Sequence, residues 1–241
     1  MHRLSLLLLA CACAPSGASD RDGAADSDRA GDSDRRADSD TEASGPRART
    51  FVVLGSSTAA AFGLLDASKG WVARWEEVLK RDHHPDDVVV NLAVPGFRTS
   101  SILPGASEGH DLTEALAQAP DAIVVNLPSN DAASGMAVET SLQNLETLRE
   151  AAGGVPIWMT TSQPRKLGAG GQAKLAGYRD GVLEAWGARA LDFWTPLATA
   201  DGQPDPAAIQ FDGIHPNAEG HARLFAVIEA ADLPAALDAT P

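Results

Sequence analysis

The most informative segment of this 241-residue sequence is Thr50-Phe51-Val52-Val53-Leu54-Gly55-Ser56-Ser57. Its apolar run has no alternating polar positions, which is typical of a parallel strand buried on both faces. A Ser that follows such a strand directly projects its hydroxyl group at the rim of the sheet. Its backbone N–H lies at a helix start and can bind a developing oxyanion. Taken alone, the Gly-x-Ser pattern more often marks a turn followed by a helix N-cap.

Further apolar runs follow this segment and alternate with stretches of helical periodicity. The runs predict strands at residues 50–54, 87–92, 122–127, 156–160 and 190–193. Helices are predicted at 71–81, 112–119, around 142–148, at 173–186 and after 217. Such alternation implies a parallel sheet covered on both faces. We therefore predict an α/β fold, a three-layer α/β/α sandwich around a mostly parallel, five-stranded sheet, with ligands at the carboxyl ends of the strands.

Three further segments place polar groups at those strand ends or before the last helix. Gly96 follows the second strand, where its N–H can serve as an oxyanion donor, although it is also an ordinary turn glycine. Asn130 follows the third strand, where its amide can donate or can form an Asx turn. Asp212 stands three residues before His215, so its carboxylate can accept from Nδ1 and leave Nε2 to take a serine proton. Each pattern alone is weak.

Together and in this order, the segments resemble the SGNH (GDSL-like) hydrolase family over about residues 51–231. The resemblance implies a flavodoxin-like fold, a catalytic triad of Ser57, Asp212 and His215, and an oxyanion hole from Ser57, Gly96 and Asn130. Two positions depart from the family's pattern. Ser56 replaces the Asp of the first block and is the less favoured nucleophile, and Pro128 replaces the Gly of the third block, which restricts φ locally.

The N-terminus predicts export. His2 and Arg3 precede a short apolar run, as in a secretory signal peptide over residues 1–13, and the run is too short to span a bilayer. Residues 8–11, Leu-Leu-Ala-Cys, resemble a bacterial lipobox, so we expect lipidation at Cys11, with Cys13 as the alternative site. A plain signal peptide with incidental cysteines is the other interpretation.

Residues 14–50 predict a flexible linker ahead of a hydrolase domain at 51–241. They contain almost no large apolar side chain and repeat an Asp-Ser-Asp unit, which cannot bury enough surface to offset the entropy of ordering. A calcium loop is disfavoured because the third alternate Asp and a distal bidentate Glu are missing. No cysteine follows Cys13, so disulfides and Cys-ligated metal are excluded beyond it.

The net charge of −14 argues against nucleic acid as a partner. We predict an exported serine esterase without cofactor or metal, monomeric and lipid-anchored in a bacterial envelope, on the periplasmic or outer surface. The expected substrate is a small-molecule or carbohydrate ester with a short acyl group, because no long apolar lid is evident. A lysophospholipase, an acyltransferase and a catalytically inactive glycan-binding relative are the alternatives.

Other noticeable residues are interpreted as structural. Trp71, Trp75 and Trp186 fall at core positions of predicted helices. His110 and His221 have no Asp or Ser at a spacing typical of a catalytic pair, although His110 could approach the cleft at the carboxyl ends of the strands. The glycine-rich residues 168–171 are expected to be a flexible connection.

Overall fold

The computed structural model describes residues 47–127 and 129–239. The predicted signal peptide, both cysteines, most of the predicted linker and Pro128 lie outside these residues. The first strand begins at Thr50. The N–H of Arg49 donates to Asp87 (2.8 Å) and that of Thr50 to Asp121 (2.8 Å). These two carboxylates immediately precede neighbouring strands and so fix the entering chain.

Five parallel strands form one sheet, which confirms the predicted α/β class. They are β1 (Thr50–Gly55), β2 (Val88–Asn91), β3 (Ala122–Asn126), β4 (Ile157–Thr160) and β5 (Ala190–Leu191). Their order across the sheet is β2-β1-β3-β4-β5, and each neighbouring pair is parallel. The order reverses beside β1, so the crevice between the ends of β1 and β3 is the expected ligand position.

Helices cover both faces of this sheet. The α-helices are α1 (Trp71–Asp82), α2 (Leu112–Ala117), α3 (Ser129–Ala133), α4 (Val138–Ala151), α5 (Ala169–Trp186), α6 (Ala218–Ala231) and α7 (Leu233–Asp238). Short 3₁₀ helices occur at Ala67–Lys69, Thr99–Ile102, Gly187–Arg189 and Thr195–Leu197. None of the helices in the described ranges is long and apolar enough to cross a membrane.

The core has one layer on each side of the sheet, as alternation along β1 shows. Phe51 and Val53 pack with α1 and α6, whereas Val52 and Leu54 pack with α2, α4 and α5. All four side chains are fully buried. The predicted core tryptophans are also buried, at 0% exposure for Trp71, 2% for Trp75 and 8% for Trp186.

Two local predictions were wrong. The glycine-rich residues after β4 are not a flexible connection, because α5 already begins at Ala169 and the N–H of Gln172 donates to the carbonyl of Gly168 (3.0 Å). Packing of later residues of α5, such as the fully buried Tyr178, outweighs the poor helix propensity of glycine. The fifth strand ends at Leu191 and not at Phe193. The N–H of Phe193 donates to the side-chain Oγ1 of Thr161 (3.0 Å) and does not continue the sheet.

Candidate active site

Ser57 lies two residues beyond β1, at the carboxyl edge of the sheet. It occupies a turn and not the predicted helix start, because the first helix after β1 begins only at Ala67. Its carbonyl accepts from the N–H of Phe62 (2.9 Å), which closes the turn. Its side chain is half-buried, whereas neighbouring Ser56 is only 4% exposed. Within the described residues, neither the N–H nor the Oγ of Ser57 has a hydrogen-bond partner. Both groups are therefore available to a bound molecule.

Asp212 and His215 form a close pair before α6. The Nδ1 atom of His215 is 2.6 Å from one carboxylate oxygen of Asp212. The other oxygen accepts the backbone N–H groups of Ile214 (2.8 Å) and His215 (3.0 Å). Partial burial by itself raises the pKa of Asp212, but the hydrogen bonds from His215 and Ile214 outweigh it and hold that pKa below its ordinary value. The ionised carboxylate thus fixes the imidazole with Nε2 directed away from it.

Gln163 connects the loop of Ser57 with the loop of His215. Its side-chain amide donates to Thr58 Oγ1 (2.8 Å) and to the carbonyl of Ile214 (3.4 Å), the direct neighbours of Ser57 and His215. Within the described residues, Ser57 Oγ and His215 Nε2 do not hydrogen-bond to each other. Catalytic hydrogen bonds commonly tighten only when substrate binds.

Gln210 also connects the loop of Ser57 with the loop of His215. The Nε2 group of Gln210 donates to the carbonyls of Phe62 (3.3 Å) and Pro216 (2.9 Å). The ring of Phe62 lies 5.1 Å from the imidazole of His215, centroid to centroid. The two loops are therefore fixed to each other on both sides of the Ser57 and His215 positions.

Gly96 occupies a turn after β2, beside the end of β1. The N–H of Val94 donates to the carbonyl of Gly55 (3.2 Å), which ties this turn to the segment that leads into Ser57. Gly96 has φ +88°, a conformation that favours glycine. It is exposed, and its N–H has no partner within the described chain.

Asn130 in α3 extends toward the same turn. Its Nδ2 group donates to the carbonyl of Phe97 (2.9 Å), the residue after Gly96. Its Oδ1 atom accepts from the guanidinium of Arg165 (2.9 Å). The turn of Gly96 is thus linked to the segment before Ser57 on one side and to Asn130 on the other, at the carboxyl edge of the sheet.

Asp131 anchors the chain beside this turn from inside the protein. It is fully buried and accepts from the N–H (3.1 Å) and Oγ1 (2.6 Å) of Thr99 and from Oγ of Ser141 (3.0 Å). Burial raises the pKa of Asp131, although these hydrogen bonds act in the opposite direction. The residue therefore holds the segment after Gly96 in place and does not face the crevice.

Residues 53–223 match the model of the GDSL-like Lipase/Acylhydrolase family, a span that covers most of the chain. The chain belongs to this family. It is a hydrolase that acts on ester bonds, as sequence analysis predicted. No curated protein sequence matches the chain.

Several solved structures resemble this GDSL-like hydrolase. TesA is 25% identical, with a TM-score of 0.62 over 77% of this chain and 99% of TesA. The esterase EstA from Pseudoalteromonas sp. is 20% identical, with a TM-score of 0.60 over 79% of this chain and 99% of EstA. A catalytic mutant of Axe2, an acetylxylan esterase from Geobacillus stearothermophilus, is 17% identical, with a TM-score of 0.61 over 76% and 93% of the two chains. These likenesses support the fold.

Sequence reasoning missed two polar residues of this GDSL-like hydrolase site, Gln163 and Arg165. Both lie just beyond β4, in a buried stretch that also includes Thr161 and Ser162. The rule that located Ser57, polar residues directly after a buried strand, applies equally to this stretch. Neither residue type forms a local pattern that distinguishes a site residue from a loop residue, so the rule alone gives no role.

A cleft lies against the segment that leads to His215. Its lining combines apolar and polar residues: Pro204, Pro206, Ile209, Phe211, Gly213, Lys166, Gln203 and Gln210. Phe211 is fully exposed, and Phe62, whose ring lies beside the imidazole of His215, is 53% exposed. In the described part of the chain, no group of three or more His, Cys, Asp or Glu residues is placed to hold a metal ion.

Proposed function

We propose that this ester hydrolase works through an acyl-enzyme formed on Ser57. In the first step, His215 Nε2 takes the hydroxyl proton as Oγ attacks the ester carbonyl, and the imidazolium then protonates the leaving alcohol. In the second step, water attacks the acyl-enzyme with His215 again as base. Asp212 keeps the imidazole in the required tautomer and stabilises its charged form. The observation that carries the proposal is the Asp212–His215 pair (2.6 Å) on a loop joined by Gln163 to the loop of Ser57.

The oxyanion formed in each step would be bound by three donors: the N–H groups of Ser57 and Gly96 and the Nδ2 group of Asn130. Donors fixed before the reaction stabilise the developing charge without reorganisation. The free N–H groups of Ser57 and Gly96 support this role. Asn130 Nδ2 has two hydrogens, and the bond to Phe97 uses only one of them.

The proposed substrate is a short acyl ester, such as an acetyl group on a carbohydrate. The acetylxylan esterase among the structural neighbours supports this class. Export and a lipid anchor at Cys11, or at Cys13, are part of the proposal, since an enzyme held at the envelope meets polymeric and surface esters. The pocket would hold no cofactor, because the triad supplies nucleophile, base and acid.

A panel of acyl esters of one alcohol tests both the mechanism and the substrate class. Wild type, Ser57→Ala and Ser56→Ala are compared on acetyl to decanoyl esters. We expect Ser57→Ala to lose nearly all turnover, Ser56→Ala to retain it, and wild-type kcat/KM to be highest for the shortest acyl groups. Full activity in Ser57→Ala with an inactive Ser56→Ala would reject the assignment of the nucleophile.

A lysophospholipid or another long-chain ester is the second candidate, and one observation favours it. Among the large hydrophobic residues exposed in the described chain, Phe62 and Leu65 follow Ser57 in its loop, and Phe211 precedes His215 in its loop. Exposed apolar clusters beside a site often bind apolar ligands. A kcat/KM that rises steadily from acetyl to decanoyl would favour this candidate over the short-acyl ester.

A further inference from the structure

Arg165 follows β4 and contacts the side chain of Asn130. Its side chain is 9% exposed, and Nη1 donates to Asn130 Oδ1 (2.9 Å). Its carbonyl accepts from Gln172 Nε2 (2.7 Å), which ties the residue to the first turn of α5. Both its main chain and its side chain are thus fixed by neighbouring elements.

The bonds to Arg165 and Phe97 determine which way the Asn130 amide faces. A guanidinium can only donate, so the atom beside it must be Oδ1, and a backbone carbonyl can only accept, so the atom beside Phe97 must be Nδ2. The two contacts require the same orientation. The second hydrogen of Nδ2 then has a fixed direction and remains available.

A buried guanidinium is a costly way to hold an amide. Buried charges are normally paired and fully hydrogen-bonded. Arg165 instead leaves its Nε buried without a partner among the described residues. Its charge interacts with Asp212, but none of the described salt bridges includes it. A neutral donor could make the same hydrogen bond to Oδ1, so the guanidinium supplies a positive charge that this bond does not itself require.

We propose that Arg165 is a positioning residue for the oxyanion hole: it fixes the amide of Asn130 and places a positive charge beside it. As negative charge develops on the substrate oxygen, the guanidinium polarises the Asn130 amide and lowers the energy of the transition state. The effect therefore appears in kcat and hardly in KM. This inference rests on the proposed role of Asn130 as an oxyanion donor.

A double-mutant cycle between Arg165 and Asn130 tests the proposal. Asn130→Ala is expected to lower kcat about 10²–10³-fold, the cost of one preorganised donor. Arg165→Met should lower kcat on the order of 10-fold, with KM changed less than about 2-fold, because Asn130 stays but is less well oriented. In the Asn130→Ala background, Arg165→Met should cost less than about 2-fold, because it acts through the missing amide.

Two further variants separate this role from a structural one. Arg165→Lys keeps the charge without the planar group and should recover part of the lost kcat. Arg49→Met is the matched control. Arg49 is likewise 9% exposed, but it is ion-paired with Asp238 and precedes β1, at the amino end of the strands and away from Asn130. The variant should therefore lose stability and keep kcat. Circular dichroism and Tm check folding, and if Arg165→Met does not fold, Arg165→Lys takes its place in the cycle.

The outcomes are distinguishable. If Asn130→Ala retains wild-type kcat, the proposed oxyanion hole is wrong and this inference falls with it. If Asn130→Ala is impaired but Arg165→Met has the same effect in both backgrounds, or raises KM alone, only the role of Arg165 is overturned.

Discussion

Gly220 in α6 lies where the helix meets the loop that carries Asp212 and His215. A Cβ atom built on Gly220 would stand 2.1 Å from the carbonyl oxygen of Ala208 and 2.9 Å from Cβ of Pro216. That same carbonyl accepts from the N–H of Asn217 (2.9 Å), the N-cap of α6. The close packing of Gly220 against Ala208 and Pro216 therefore holds both ends of the loop from Ala208 to Asn217 on α6. We predict that Gly220→Ala displaces this loop, which carries Asp212 and His215.

The size of the effect follows from these distances. Cβ atoms essentially never approach another heavy atom within 3.0 Å, so the carbonyl of Ala208, or the helix, must move by about 1 Å. A displacement of that size at a catalytic group can lower kcat about 10²-fold. Overpacking should lower the free energy of unfolding by about 1–3 kcal/mol. The higher helix propensity of Ala should raise it by up to about 1 kcal/mol and so offset part of this loss. For a domain of this size, each kcal/mol lowers Tm by about 2–4 °C.

The assay compares kcat, KM and Tm with those of Gly170→Ala. Gly170 lies in the first turn of α5, and no atom lies within 4 Å of a Cβ built on it. The control should therefore match or slightly exceed wild-type Tm and keep wild-type kcat. If Gly220→Ala also kept wild-type kcat and Tm, the loop of His215 would not depend on this contact and the reasoning would be refuted.

Three further predictions use other parts of the chain. Burial lowers the pKa of His221 to about 4 in the folded protein, whereas the imidazole of the unfolded chain takes up a proton below about pH 6.5, so the free energy of unfolding should fall by about 2 kcal/mol between pH 8 and pH 5. Urea denaturation of His221→Asn should show a smaller fall over this pH range. A fall as large as that of the wild type would exclude His221 as the cause of the pH dependence. Asp212→Asn should keep Tm but lower kcat by more than about 10²-fold, because the imidazole loses the partner that selects its tautomer, and wild-type turnover would contradict that role. Mass spectrometry of the mature protein should find a lipidated N-terminal Cys11 or Cys13, and an unmodified start beyond residue 13 in a soluble fraction would reject the anchor.

The sequence predicted the sheet because β1 and β3 are buried on both faces and so appear as uninterrupted apolar runs. Ser57, Gly96 and Asn130 could be located for a related reason: each follows a strand closely, and parallel strands bring their carboxyl ends to one edge. The Asp212–His215 pair is local, and a spacing of three residues is enough to suggest it.

Long-range contacts account for what the sequence did not reveal. Arg165 and Asn130 are 35 positions apart, and Gln163 and Thr58 are 105 positions apart. No local periodicity encodes such pairs. The start of α5 was missed because glycine-rich segments usually form loops, and the importance of Gly220 depends on a carbonyl twelve residues earlier in the chain. These features are set by tertiary packing, which outweighs local propensity.

Covalent labelling tests the central claim most directly. The full chain is treated with an alkyl fluorophosphonate, which reacts with activated serine hydroxyls, and the modified peptide is sequenced by mass spectrometry. The mechanism predicts one adduct per chain on Ser57, no adduct in Ser57→Ala, and much slower labelling in His215→Ala, because Nε2 no longer takes the hydroxyl proton. An adduct on Ser56, or an active enzyme that remains unlabelled at Ser57, would contradict it.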